Sequence, residues 1–410
     1  MKKFQAPRGT LDVLPPDARR RLRLVEIAGD VLGRAGYEPI ETPVFEDTEL
    51  FARGVGESTD IVQKEMFTFE DKAGRSLTLR PEATAGICRA YIEHGMHKLA
   101  QPVKVWTAGP FFRHEAPQAG RFRQFTQIDA EAIGSDDPTL DAELILLLAE
   151  IFERAGTGPS RLRLSSLGTP DTRADYIDEL RGYLRSREGE LSDEVRDRLD
   201  QNPLRAFDAD HAGTQAVMVD APQLIDRLSS EDAEHFAEVR ALLDAAGLPY
   251  ELDATLVRGL DYYTRTVFEF ESERLGAQAA LGGGGRYDGL VEELGGPPTP
   301  GVGWAAGVER VLLAAGAGDE TAAADVFLAM ADGRHEAFLL ARRLREAGLR
   351  TEMEQAGRSM KGQLKQANRV GARVVVIMGD QIEVKDMDTG EQRAAAGPDE
   401  AIEMVEELLA

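Results

Sequence analysis

Residues 107–133 read T-A-G-P-F-F-R-H-E-A-P-Q-A-G-R-F-R-Q-F-T-Q-I-D-A-E-A-I. The Ala-Pro-Gln-Ala-Gly run at 116–120 separates two arms, which is the pattern of a β-hairpin with a longer loop. Side chains of a strand alternate between faces. If the second arm is a strand, one face carries Arg121, Arg123, Phe125, Gln127, Asp129 and Glu131, and the other carries Phe122, Ile128, Ala130 and Ala132. An apolar face packs on a core. Arginines, an aromatic ring and carboxylates on the opposite face suit a ligand with a phosphate, a flat ring and a cationic group. A solvated face with cross-strand ion pairs is the simpler alternative, and this stretch alone does not choose between them.

The rest of the chain narrows the choice. At 410 residues it is long enough for two or three domains, each with its own core. The net charge of −24 argues against non-specific nucleic-acid binding, though a local basic patch remains compatible with it. A single cysteine, Cys88, rules out a disulfide framework and a cysteine-built zinc site. With no apolar run of membrane-spanning length and no signal-peptide core at the N-terminus, the expected location is the cytoplasm, with no membrane partner.

Along the chain, apolar residues at helical spacing predict a helix over 16–35, ended by Gly36 and followed by an extended Pro-bearing segment. A strand is predicted at 62–69, a turn at 72–74 and a second strand at 76–80. Pro81 and Glu82 are expected to open a helix, and another helix is expected at 139–155. A strand near 161–167 leads into charged, helix-rich sequence, read as a subdomain inserted at 168–248 within a first domain of residues 1–320. Strand character returns at 264–271. A Gly-rich loop is predicted at 282–288, and 304–314 reads as a strand end entering a helix. An Ala/Gly-rich linker near 314–324 precedes a last domain at 325–410. There strands at 326–330, 351–353, 373–378 and 382–386 alternate with helices at 334–347, 359–370 and 398–409, the pattern of a small α/β domain.

Several short segments carry candidate chemistry. Glu82, Ala83 and Thr84 put a carboxylate and a hydroxyl at a helix start, as dipole partner and early-helix residue or as receivers of an ammonium group. Arg258-Gly259-Leu260-Asp261-Tyr262-Tyr263 gathers an arginine, an acid and two tyrosines before a strand. Arg258 either pairs with Asp261 or meets phosphate or carboxylate oxygens. Residues 282–285 are four glycines that permit close approach to a ligand or a sharp bend. Arg310 stands one turn into a helix that follows glycines. His94 and His97 are one helical turn apart, but no third ligand is near, so no metal site and no structural metal is expected. Arg358, Lys361, Lys365 and Arg369 share a helix face by spacing, either solvated or set against a phosphate backbone.

Together these segments resemble the class II aminoacyl-tRNA synthetases, and within them the histidyl-tRNA synthetase family. Arg8-Gly9-Thr10 with the following helix and Pro43 resembles the first class motif, Phe112-Arg113-His114-Glu115 with the arm to Glu131 the second, and Gly307-Val308-Glu309-Arg310 the third. Arg258-Gly259-Leu260-Asp261-Tyr262-Tyr263 and Gly284-Gly285-Arg286-Tyr287-Asp288 resemble the two signatures peculiar to that family. The resemblance implies an α+β fold: a class II antiparallel sheet flanked by helices, a helical insertion and a C-terminal α/β anticodon-binding domain. It implies activation of L-histidine by ATP, with Mg2+ accompanying the nucleotide, and transfer to the 3′ end of tRNA(His) by a homodimer.

By the same resemblance, Glu82, Ala83 and Thr84 would surround the amino group of histidine, with Gln127 near its carboxylate. Glu131 and Tyr263 would read the imidazole beside Tyr262. Arg113 and Arg258 would flank the α-phosphate as catalytic residues that also touch histidine. Phe125 would stack on adenine, and Arg121 and Arg310 would bind ATP. Gln118, Arg123, Arg358, Lys361, Lys365 and Arg369 are the candidates for tRNA contact. Asp129 receives no role, and the alanines of the hairpin loop stand where relatives often carry basic residues. A second reading is a catalytically inactive paralogue serving as regulatory subunit of ATP phosphoribosyltransferase. Such a protein typically lacks the anticodon-binding domain and erodes the two signatures, both of which are present here.

Overall fold

The computed structural model describes residues 3–56, 59–116, 118, 120–200, 202–256, 259–276, 279–316 and 324–410. They form two compact units, Met1–Gly318 and Asp319–Ala410. The first contains α1 (Asp17–Arg34), β1 (Glu38–Pro39), β2 (Phe45–Asp47), α2 (Thr48–Val55), β3 (Phe67–Glu70), β4 (Ser76–Leu79), α3 (Thr84–Glu93), β5 (Val103–Phe112) and β6 (Gln124–Ile133). It continues with α4 (Pro138–Ala155), β7 (Arg161–Ser166), α5 (Pro170–Arg185), α6 (Asp193–Arg198), α7 (Ala212–Met218) and α8 (Ser230–Ala246). β8 (Glu251–Leu252), β9 (Thr264–Glu271), β10 (Ala280–Arg286), α9 (Leu290–Glu293), β11 (Gly301–Gly307) and α10 (Val308–Ala315) complete it.

The main sheet has eight strands in the order β1-β5-β6-β11-β10-β9-β7-β8. From β5 to β7 every pairing is antiparallel, and only the short edges β1 and β8 run parallel to their neighbours. The opening hairpin is β5–β6, and its face assignment follows from burial. Ile128, Ala130 and Ala132 join the cluster built by α1, α4, α8 and α10, together with Phe268, Phe270, Val302 and Trp304 from the neighbouring strands. Gln127, Asp129 and Glu131 point the other way. That side is roofed by α3, by the inserted helices and by Tyr262 and Tyr263, which share a second apolar cluster with Ile87, Tyr91, Tyr176 and Leu180. Of the predicted insertion, α8 packs on the first cluster through Phe236, Val239 and Leu243 and so belongs to the body of the sheet.

Four local expectations are corrected. β6 begins at Gln124, so Arg121 and Arg123 lie in the loop before it, where Arg123 N–H donates to the Gly9 carbonyl. Residues Ile61–Glu65 form a turn of π-helix and not the start of a strand, with Ile61 buried against Phe51 and Val55. The helix expected at Pro81 starts at Thr84, because the Glu82 side chain takes the free N–H groups of the first turn.

The Gly-rich segment is no loop. It is the interior of β10, paired on both sides. A Cβ on Gly284 would lie 1.9 Å from the Gly303 carbonyl oxygen, and one on Gly285 would lie 2.5 Å from that of Thr266. The glycines are therefore set by close strand packing.

The second unit contains β12 (Val326–Met330), α11 (Arg334–Glu346), β13 (Thr351–Met353), α12 (Met360–Arg369), β14 (Val374–Met378), β15 (Ile382–Asp386), β16 (Gln392–Ala395) and α13 (Pro398–Leu409). Its sheet runs β13-β12-β14-β15-β16, parallel across the first three strands and antiparallel beyond. β16 went unpredicted because this edge strand is short, polar and exposed over most of its length. Of the expected linker, residues 317–323 lie outside the described residues. Among the described residues no helix is long and apolar enough to cross a membrane.

Candidate active site

One cavity lies on the ligand-side face of β6. Its lining includes Glu82, Thr84, Arg113, Arg121, Phe125, Gln127, Asp129, Tyr262, Tyr263, Tyr287 and Arg310. Residues expected to act together from segments more than two hundred positions apart are thus brought to one place. Ala83 is buried beneath it, and Glu131 is 1 % exposed. Arg258 lies outside the described residues, as do Pro117 and Ala119 of the hairpin loop. Gln118 and Arg123 are not among the lining residues. Gln118 is exposed and bridges to Arg121 at the tip, while Arg123 donates to the Glu115 carbonyl.

At one end the groups are cationic and aromatic. The Arg113 guanidinium sits 5.5 Å from the centre of the Phe125 ring, anchored by donation from its Nε to the Pro81 carbonyl at 2.9 Å. Arg121 pairs with Glu115 at 3.1 Å. Arg310 donates through Nε to the Ala280 carbonyl, so the base of its side chain is fixed. Burial lowers its pKa, as does repulsion from Arg121, while Glu269 and Glu115 oppose the fall. Three arginines around an aromatic ring make a receptor for a polyanion joined to a flat heterocycle.

At the other end the groups are acids and hydroxyls. Glu131 accepts from the Thr84 hydroxyl at 2.7 Å and from the Tyr287 hydroxyl at 2.6 Å. Burial pushes its carboxyl up to about 8, against the pull of the two hydroxyls, with Glu82 adding to the rise. Gly303, opposite Glu131 in the register, makes room for it. A Cβ there would stand 1.6 Å from Glu131 Oε2. The Glu82 carboxylate accepts the N–H groups of Thr84 at 2.6 Å and Ala85 at 3.1 Å. Tyr262 packs 4.7 Å from Tyr263 and 5.9 Å from Tyr287, ring centre to ring centre.

The segment carrying these tyrosines is held from the insertion and from below. Arg173 of α5 donates to the Tyr263 carbonyl. Arg265 adopts a positive φ of 43° where the pairing of β9 and β10 shifts register, and it is fixed by Asp232 at 3.0 Å. A non-glycine residue in that conformation persists only when its surroundings over-determine it. At the same register shift, opposite Thr264, the fully buried Arg286 pairs with Asp141 at 2.6 Å, which pins the end of β10 and so the position of Tyr287.

Two contributions escaped the sequence reading. Tyr287 is read there only as part of a signature, and its contact with Glu131 spans 156 residues of chain. Glu309 accepts the Thr126 N–H at 3.0 and 3.1 Å and pairs with Arg21 at 2.6 Å, tying α10 to both β6 and α1. Its position next to Arg310 was the one available signal.

His94 caps the end of α3 and His97 lies in a separate short turn against Tyr91, so they do not share a helix face. Among the described residues no group of three or more potential ligands could hold a metal ion.

In the second unit, Lys361, Lys365 and Arg369 lie on α12 and are exposed. Arg358 precedes the helix, paired with the buried Glu354 at 3.1 Å, which also accepts the Arg358 and Ala356 N–H groups. The four basic residues therefore do not form one helix face. A cleft beside the ends of β12 and β13 is lined by Met330, Arg334, His335, Phe338, Glu354, Arg358 and Gln363. Gln363 stitches it together by accepting the Met330 N–H at 2.6 Å and donating to the Met330 and Arg358 carbonyls.

Comparison with known proteins agrees with this geometry. A family model described as histidyl-tRNA synthetase matches residues 9–311, and one described as an anticodon binding domain matches residues 325–408. A histidine–tRNA ligase of Rubrobacter xylanophilus is 49 % identical over 411 residues, spanning 96 % of this chain and 97 % of that protein. One from Halothermothrix orenii is 46 % identical, spanning 95 % and 96 %. The crystal structure of the apo S. aureus histidyl-tRNA synthetase superposes with a TM-score of 0.82 at 35 % identity, over 98 % of this chain and 100 % of that one. A Bacillus halodurans structure described as an ATP phosphoribosyltransferase regulatory subunit/histidyl-tRNA synthetase shares the fold, with a TM-score of 0.69 at 23 % identity, over 92 % of this chain and 99 % of that one.

Proposed function

The chain belongs to the histidyl-tRNA synthetase family and joins histidine to tRNA at the expense of ATP, and from that premise we propose how its cleft divides the work. The observation that carries the proposal is the two-ended cavity: Arg113, Arg121, Phe125 and Arg310 at one end, and Thr84, Tyr262, Tyr263 and Tyr287 at the other, with the buried Glu131 accepting from Thr84 and Tyr287 behind them. Adenine stacks on Phe125 while Arg113 holds the α-phosphate and Arg310 and Arg121 hold the outer phosphates. Mg2+ arrives with ATP as part of that substrate. Histidine lies toward β11, its imidazole read by Glu131 and Tyr263 beside Tyr262.

The chemistry asks for positioning and charge stabilisation and needs no enzyme nucleophile. The histidine carboxylate attacks the α-phosphorus in line, pyrophosphate leaves, and the histidyl-adenylate then passes its acyl group to the terminal hydroxyl of tRNA(His). Negative charge grows on the α-phosphate oxygens, where Arg113 and, by resemblance, Arg258 would offset it. Glu82 and Thr84 hold the wall of the histidine end through their bonds to the first turn of α3 and to Glu131.

Residues 325–410 would bind the anticodon, with the cleft at Phe338 and Arg358 and the exposed Lys361, Lys365 and Arg369 as the contact surface, and residues 1–320, with the insertion at 168–248, would form the catalytic domain. Gln118 and Arg123 at the hairpin tip would face the acceptor end. We further propose a cytoplasmic homodimer, supported by the exposed apolar residues Leu22, Phe45 and Phe69 on α1 and the small β2-β4-β3 sheet. Histidine-dependent exchange of labelled pyrophosphate into ATP, without tRNA, tests the core of this reading. Absence of exchange with folded protein overturns it.

A further inference from the structure

The Tyr262-Tyr263 segment is strung between two parts of the chain that are far apart in sequence. In front, the Asp261 N–H donates to the Val55 carbonyl at 3.2 Å, and the Asp261 side chain packs on Gly56, where a Cβ would stand 2.5 Å from its carboxylate. Behind, Arg265 exchanges backbone bonds with Leu167 and Gly168 at 2.7 and 2.9 Å. Tyr263 lies two residues before that rung, and its ring rests on Gly285, where a Cβ would come within 3.1 Å of it. A backbone carbonyl beyond the end of a ladder takes its donor from elsewhere. Arg173 supplies one.

Arg173 is not among the residues lining the cavity. It stands in the first turn of α5, the opening helix of the insertion. Its Nε donates to the Leu167 carbonyl at 3.3 Å and its Nη2 to the Tyr263 carbonyl, so one guanidinium bridges the end of β7 to the tyrosine segment. Burial lowers its pKa, and the Asp261 carboxylate opposes the fall. A planar fork of this kind fixes the geometry between the groups it joins. The turn that carries it is fixed in its own right. Asp232 of α8 accepts the Thr169 N–H at 3.0 Å and the Thr172 hydroxyl at 2.8 Å on one oxygen, and Arg265 at 3.0 Å on the other. The starts of α5 and α8 and the backbone behind the tyrosines are thus tied at one carboxylate, and Arg173 is the arm that reaches from them to Tyr263.

Resting on the histidine-activation reading, we propose that Arg173 is a positioning residue for amino-acid recognition: through it the inserted helices set the place of the Tyr263 hydroxyl against the imidazole. The lever is geometric. The hydroxyl lies at the far tip of the ring, so a small shift of the Tyr263 backbone is carried to the hydrogen-bonding atom. A misplacement of about 1 Å, caused away from the chemistry, can cost about a hundredfold. The nucleotide end stands on other elements, with Phe125 on β6, Arg113 just after β5 and Arg310 on α10, and does not depend on this arm.

A double-mutant cycle in the exchange reaction tests this, with histidine and ATP varied in turn. Arg173→Met keeps the apolar stem and removes the donors, and Tyr263→Phe removes the hydroxyl. Arg173→Met is expected to raise the histidine KM at least about tenfold and to leave the ATP KM within twofold. In the Tyr263→Phe background the same change is expected to move the histidine KM by less than threefold, because the hydroxyl it positions is already gone. A rise of less than tenfold in the single variant, an equal rise in both KM values, or a rise of threefold or more in the Tyr263→Phe background overturns the assignment. If Arg173→Met does not fold, Arg173→Lys, which keeps the charge but lacks the fork that bridges both carbonyls, enters the same cycle with the same outcomes. A wild-type protein that shows no histidine-dependent exchange overturns instead the activity on which the proposal rests.

Discussion

The Tyr287 hydroxyl donates to Glu131 Oε2 at 2.6 Å, joining the residue after β10 to the C-terminal part of β6 across the glycine-bearing strand between them. This contact, with the Thr84 hydroxyl on the other oxygen, holds the carboxyl in one orientation beside the acid- and hydroxyl-bearing end of the cavity.

Tyr287→Phe removes that donor and little else, since the ring stays packed against Tyr262. A hydrogen bond to a buried acid is worth roughly 1.5–3 kcal/mol, so the KM for histidine should rise by about tenfold or more. The KM for ATP should stay within about twofold. Exchange kinetics with each substrate varied in turn check the split, and an unchanged histidine KM removes Tyr287 from recognition.

Glu131→Gln should trade activity for stability. In the unfolded chain this carboxyl titrates near 4.5, and in the fold near 8. The folded state binds more protons across that window, so stability is lost as pH rises from about 4.5 toward 8. The amide has no such penalty. The variant is expected to melt above wild type at pH 8.5, to lose that advantage by pH 4.5, and to activate histidine at least tenfold more slowly. Parallel melting curves for the two proteins across this range would contradict the assignment.

Glu309→Ala strips a cross-link among three elements. It leaves the Thr126 N–H and the Arg21 guanidinium without their acceptor in a partly buried place. Loss of such a partner costs about 2–4 kcal/mol. Urea unfolding should show that loss, and the KM for ATP should rise because Arg310 is the next residue on the helix. A variant as stable as wild type would mean that water replaces the lost acceptor.

His235 should make stability fall in mild acid. The residue is 8 % exposed, and burial lowers its pKa to about 4 from 6.5, with the Arg286 and Arg265 cations adding to the fall. The unfolded chain therefore binds more protons between those values, and stability is lost as pH drops from about 6.5 toward 4, by about 2 kcal/mol at pH 5. His235→Leu should remove this component, seen as a smaller drop in melting temperature between pH 7 and pH 5. An equal drop in both proteins assigns the acid sensitivity elsewhere.

The residues differ in how much of their place could be read in advance. The faces of β6 were legible because a strand alternates and Ile128, Ala130 and Ala132 mark the core side. The helices of the second unit were legible from the alternation of helix and strand patterns along the chain. The glycines of β10 misled, because four in a row signal a loop unless the neighbouring strands are known to press against them. Arg358 misled for a similar reason: its spacing fits the helix, but the Glu354 carboxylate holds it before the first turn.

By itself the sequence determined the fold class and the family, since strand period, helix spacing and short signatures are local properties that a chain carries before it folds. Only the tertiary structure decided which buried acceptors are already spent. Glu131 meets Thr84 across 47 residues and Tyr287 across 156, while Asp129, on the same strand face, keeps an oxygen without a donor among the described residues. Hydrogen bonding in a buried site is settled by contacts between distant segments, and no local pattern encodes it.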